Sequence, residues 1–109
     1  MFKFVTIYRR VDDEAVLETF FSETHLRLAE QLPGLLKTEV SRVTHKPGGQ
    51  SRFCLMVELY FEAAASFESA LASQPGLALM QALKPWATAG LITWFYADAY
   101  EEERVQARR

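Results

Sequence analysis

The chain has 109 residues, half of them apolar, with twelve Lys or Arg against fourteen Asp or Glu. That length suits one domain with one core, and the near balance of charge excludes the basic field that draws nucleic acid or anionic lipid. No apolar run approaches the ~20 residues that cross a bilayer, the opening MFKFVTIYRR lacks the features of a signal peptide, and Cys54 has no second cysteine to pair with, so the expectation is a cytoplasmic protein with no membrane partner.

Phe2 to Arg9 is rich in aromatic and β-branched residues and reads as the first strand, with faces Phe4, Thr6, Tyr8 and Val5, Ile7. Asp12, Asp13 and Glu14 then put negative charge at a helix N-terminus, with Asp12 or Asp13 as the cap. Leu17, Phe20, Phe21, Leu28 and Leu32 follow at helical spacing, and Pro33-Gly34 stops that helix. Leu35 to Thr44 carries polar residues on both faces, the mark of an edge strand. His45 to Ser51 is a long hairpin loop, and Arg52 to Phe61 is the strongest strand, with Phe53, Leu55, Val57, Leu59 and Phe61 on one face.

Ala63 to Ser73 reads as a second helix broken by Pro75-Gly76, and a shorter helix follows from Leu77 to Leu83, halted before Pro85. Trp86 to Gly90 leads into a last strand, Leu91 to Ala99. Residues 1–100 thus make a single domain, and 101–109 a charged tail.

The order strand, helix, strand, strand, helix, strand is the α+β, ferredoxin-like βαββαβ plan: a four-stranded antiparallel sheet with its helices on one face. The other face does not read as wet. If Val5, Ile7, Leu55, Val57 and Leu59 meet the helices, Phe4, Tyr8, Met56, Tyr60, Ile92, Trp94 and Tyr96 are left over; if the assignment is inverted, the aliphatic face is left. Either patch exceeds what soluble monomers expose, so a homodimer, sheet on sheet, is expected.

Chemistry concentrates on few side chains. His25, four residues after Phe21 and three before Leu28, borders the apolar stripe, where an imidazole can move a proton to or from a bound molecule. The competing reading is a core-edge histidine bonded to backbone. Tyr8 is its natural partner, able to donate a hydrogen bond to a ligand oxygen. Phe21, Met56, Glu58, Trp86 and Trp94 are the candidate lining of a pocket for a small hydrophobic or aromatic molecule. A buried Glu58 either lines a polar cavity or joins an intersubunit pair with a residue such as Arg42, the reading preferred here. His25 and His45 lack metal-ligand spacing, and neither a nucleophile elbow nor a phosphate loop is present, so no metal and no bound cofactor are expected.

Ile7-Tyr8-Arg9-Arg10, Phe20-Phe21 followed by Thr24-His25-Leu26, Leu32-Pro33-Gly34-Leu35, Pro47-Gly48-Gly49 and Ala87-Thr88-Ala89-Gly90 occur in an order that resembles the EthD family over nearly the whole chain. The resemblance implies a dimeric α/β barrel of ferredoxin-like subunits, the architecture of small monooxygenases and muconolactone isomerases, and a histidine at the position of His25. It implies a link to ether degradation and two functions: a cofactor-independent monooxygenase, isomerase or cyclase, or a non-catalytic binding or accessory protein of an oxidative degradation pathway. Pro85-Trp86 departs from the family pattern at the pocket mouth.

Overall fold

The computed structural model describes residues 1–102; residues 103–109, most of the expected charged tail, lie outside the described residues. Strands β1 (Phe2–Arg9), β2 (Lys37–Arg42), β3 (Phe53–Phe61) and β4 (Ile92–Asp98) form one antiparallel sheet in the order β2-β3-β1-β4. This is the ferredoxin-like arrangement read from the sequence, with β2 on an edge. Helices α1 (Glu14–Phe20), α2 (Leu26–Glu30), α3 (Ala64–Leu71) and α4 (Gln74–Thr88) complete it, and a π-helical turn, Phe21–His25, joins α1 to α2. Among the described residues no helix is long and apolar enough to cross a membrane.

Local signals account for most of the boundaries. The Asp13 side chain accepts a hydrogen bond from the Val16 N–H at 3.3 Å and caps α1. Past α2, the Leu35 N–H bonds to the Leu32 carbonyl across Pro33 and Gly34, and Gly34 has φ of 80°. That is the geometry of a type II turn, which places proline second and needs glycine third.

The second half of the chain corrects two expectations. Pro75 starts a helix instead of only ending one: Ser73 caps α4 through the Gly76 N–H, and Pro75 sits in the first turn, where a missing N–H costs nothing. Pro85 does not halt α4, which runs on to Thr88. The helix ends in a Schellman motif, with Leu91 N–H on the Trp86 carbonyl, Gly90 N–H on the Ala87 carbonyl and Gly90 at φ 75°.

The register settles the faces in a way neither sequence-based assignment anticipated. Phe4, Thr6 and Tyr8 pair directly with Leu59, Val57 and Leu55 of β3, and with Tyr96, Trp94 and Ile92 of β4. Directly opposed residues share a face, so the aromatic side of β1 and the aliphatic side of β3 meet the helices together. The other face carries Lys3, Val5, Ile7, Met56, Glu58, Tyr60 and Phe95. The core lies between the first face and the helices, where Phe67 of α3 packs on Phe2, Phe4, Phe61 and Tyr96 with ring centroids 5.2–5.5 Å apart.

Candidate functional site

The first helical stretch buries Leu17, Phe21, His25, Ala29 and Leu32, a spacing of four that closes on three. In an α-helix of 3.6 residues per turn, four residues overshoot one turn by about 40°, so such a row drifts around the helix. The π turn removes the drift. The Leu26 N–H reaches back five residues to the Phe21 carbonyl, the turn is wider, and His25 stays in line with Phe21 and Leu17. His25 therefore points fully into the core, deeper than the stripe-edge position expected of it, with 0% of its surface exposed.

Strand β1 supplies the partner. Tyr8, also 0% exposed, sits at the end of the regular β1–β3 ladder, where the register jumps from Tyr8 opposite Leu55 to Arg9 opposite Phe53. Cys54 is the extra residue of that bulge, and its thiol lies 3.7 Å from the carbonyl oxygens of both Tyr8 and Arg9. Bulges bend a strand locally and re-aim side chains. Here the Tyr8 hydroxyl lies 2.5 Å from His25 Nδ1.

Burial sets the protonation state of the pair. It lowers the His25 imidazole to a pKa of about 4 and raises the Tyr8 phenol well above its ordinary value, since each charged form would lose its hydration. Both groups are neutral at pH 7. With neutral Tyr8 donating its O–H to Nδ1, the imidazole proton lies on Nε2; in the other neutral tautomer Nδ1–H donates to the phenol oxygen. His25 Nε2 is the one buried side-chain nitrogen or oxygen among the described residues without a hydrogen-bond partner.

Aromatic rings surround the pair. Phe21 meets the imidazole edge-on at 6.3 Å, Trp86 meets the Tyr8 ring edge-on at 5.6 Å, and Phe20 stacks on Trp86 at 4.6 Å and 25°. Phe20 was read from the sequence as part of the apolar stripe and of the run that resembles the EthD family, not as a pocket residue. Its place at the site depends on α4 continuing through Pro85, which no local signal announces.

The remaining expected pocket residues divide. Phe21 and Trp86 join His25 and Tyr8. Trp94 lies on the helix-side face but against Phe4, at 6.1 Å, beside a separate cleft lined by Met80, Phe95 and Tyr96. Met56 and Glu58 are on the helix-free face, across the sheet from His25, so one pocket lined by all five does not form. Glu58 takes Lys3 of its own chain, at 2.5 Å, and that bond raises the Lys3 pKa. Arg42, its expected partner, sits on the helix side of β2 and holds Glu18 of α1 through two hydrogen bonds of 2.7 and 2.9 Å. Two residues on opposite faces of one sheet cannot meet within the subunit.

No family model and no curated protein matches the chain. Among solved structures it is similar to an EthD family protein from Bacillus halodurans, with 27% identity and a TM-score of 0.84 over 92% of this chain and 99% of that one. SnoaB, a cofactor-independent oxygenase from Streptomyces nogalater, shares the fold at 18% identity and a TM-score of 0.62, with 97% of each chain covered. So does a dimeric protein of unknown function with a ferredoxin-like fold from Bacteroides fragilis, at 15% identity and a TM-score of 0.58, with 90% and 95% covered. The chain thus has the fold of that EthD family protein over nearly the full length of both.

Proposed function

We propose that the chain binds a small hydrophobic or aromatic molecule at His25 and Tyr8 and moves a proton on it without a bound cofactor. One observation carries this reading: a fully buried imidazole with Nδ1 held by Tyr8 and Nε2 left without a partner. Leaving a buried donor unpaired costs about 1–3 kcal/mol, a deficit that a ligand oxygen removes.

In the state described, Nε2–H donates to a carbonyl or phenolate oxygen of the ligand. In the other neutral tautomer, reached when the imidazole loses the Nε2 proton to water and takes one up at Nδ1 while the site is open, Nδ1–H donates to the phenol oxygen and Nε2 presents a lone pair. That lone pair accepts a proton from an acidified C–H or O–H, the bonding electrons stay on the ligand as an enolate or phenolate, and the imidazole becomes imidazolium. The opposite charges formed side by side offset each other's burial. Return of the proton to a different ligand atom completes an isomerisation or a ring closure.

The alternative is a non-catalytic binding or accessory protein of an oxidative degradation pathway. A specific observation favours it: an imidazole held near pKa 4 is a weak base. Deuterium exchange separates the two. With 2-tetralone, whose CH2 between ring and carbonyl is acidic, the wild type should exchange that position faster than buffer does and His25→Ala should not. Equal rates for wild type and variant exclude proton transfer and leave the binding reading.

The helix-free face supports the expected homodimer. Ile7, Met56, Tyr60 and Phe95 lie on the face of the Lys3–Glu58 pair, and Phe95 is 44% exposed. A second subunit placed sheet on sheet covers this apolar surface. Sedimentation at micromolar concentration should find a dimer that Phe95→Glu dissociates; a stable folded wild-type monomer overturns the assembly.

A further inference from the structure

We infer that Phe20 and Trp86 form an aromatic door to the His25–Tyr8 site, and that what passes and lodges between them is a flat aromatic ring carrying a hydrogen-bond acceptor. The inference rests on the binding reading above and names the class of molecule admitted.

His25 and Tyr8 have no exposed surface, so a partner for Nε2 must displace something. Phe21, against the imidazole, and Leu55, opposite Tyr8, are locked in the core, each at most 5% exposed. Phe20 and Trp86 are different. Both touch the Tyr8 ring, at 6.5 and 5.6 Å between centroids, yet both are only half-buried. Their outer sides line a cleft of about 530 Å³, shared with Asp13, Val16, Thr19 and Thr24. The stacked rings are thus the partition between an open cleft and a sealed polar pair.

The backbone around the partition favours movement of these side chains alone. The Trp86 carbonyl is tied into the Schellman motif that ends α4, so opening is a rotation of the indole. Phe20 is the last residue of α1, where the helix changes from α to π spacing. Its ring can turn outward without breaking the buried row of Leu17, Phe21 and His25.

The stacking geometry selects the ligand. Phe20 and Trp86 lie 4.6 Å apart at 25° to each other. Parting them forfeits one aromatic contact, and a planar aromatic ring inserted between them restores two. A saturated ring of the same size restores neither. The ligand's oxygen then pairs with His25 Nε2, the buried nitrogen that has no partner.

Two ketones of one skeleton test this: 2-tetralone, with a fused benzene ring, and 2-decalone, fully saturated. Binding is followed in the wild type by the indole N–H resonance of Trp86, assigned with Trp94→Phe, and by the His25 imidazole nitrogens. The expected result is that 2-tetralone shifts both residues together and binds about tenfold tighter than 2-decalone, the factor that ~1.4 kcal/mol of stacking gives. Phe20→Ala, which touches neither imidazole nitrogen, should raise the exchange rate between free and bound forms by about tenfold. A His25 shift without a Trp86 shift, or equal affinity for the two ketones, overturns the door and leaves the site standing. No His25 shift with either ketone overturns the site and the door with it. Should Phe20→Ala fail to fold, the two-ketone comparison in the wild type decides alone.

Discussion

The Tyr8 hydroxyl and His25 Nδ1 meet at 2.5 Å across the interface between β1 and the π turn, and neither residue shares any surface with solvent. Removing either partner therefore orphans the other in the core. Tyr8→Phe and His25→Leu should each destabilise the fold by about 1–3 kcal/mol in urea unfolding. The double variant should lose clearly less than the sum, because it leaves no orphan. Additive losses would mean that the hydrogen bond contributes nothing of its own.

The same burial predicts an acid limb. The His25 pKa in the folded protein is about 4, against roughly 6.5 for an unfolded histidine. Between those values the unfolded chain binds the extra proton, so stability is complete above pH 6.5 and is lost as pH falls towards 4, by about 3 kcal/mol in all. His25→Leu should flatten this part of the profile. A wild-type midpoint in urea that does not move between pH 7 and 5 would contradict the buried neutral imidazole.

Lys3 and Glu58 face away from the helices, with Glu58 nearly buried. Lys3→Met should lower stability by about 1–3 kcal/mol, since it strands a carboxylate. Lys3→Met combined with Glu58→Leu should recover most of that loss, because an apolar pair has no charge to hydrate. If the single substitution is harmless, the carboxylate finds another partner or water. Thermal unfolding of the three variants at pH 7 distinguishes these outcomes.

Gly76, in the first turn of α4, packs against the end of α3. A Cβ there would lie 2.0 Å from the Ala70 carbonyl oxygen and 2.7 Å from the Leu71 Cα, both backbone atoms that cannot swing aside. Gly76→Ala should cost about 2 kcal/mol or more as the two helices are forced apart. Gly34→Ala has open space around it and only the strain of a φ of 80°, on the order of 1 kcal/mol. Thermal melts should rank the two in that order; the reverse order would mean that the helix pair relaxes freely.

How far the sequence reaches can be judged from these same residues. Asp13, Pro33-Gly34 and the alternation of β3 act through neighbours in the chain, and each boundary they set was legible. The element order and hence the ferredoxin-like plan followed from them. The four-residue row Leu17, Phe21, His25, Ala29 was not read from the sequence, where the stripe ran through Phe20 and Leu28 with His25 at its border: only a π turn keeps such a row on one line.

The sequence by itself determined which segments are strands and helices, where most of them begin and end, and that His25 and Tyr8 are the side chains worth bringing together. Only the tertiary structure decided that they touch, that Phe20 and Trp86 stack on each other beside Tyr8, and that Glu58 turns to Lys3 across the sheet from His25. The reason is register. Side chains alternate along a strand, so a one-residue shift in pairing exchanges its two faces, and that shift is fixed by contacts between β1, β3 and β4, far apart in the chain.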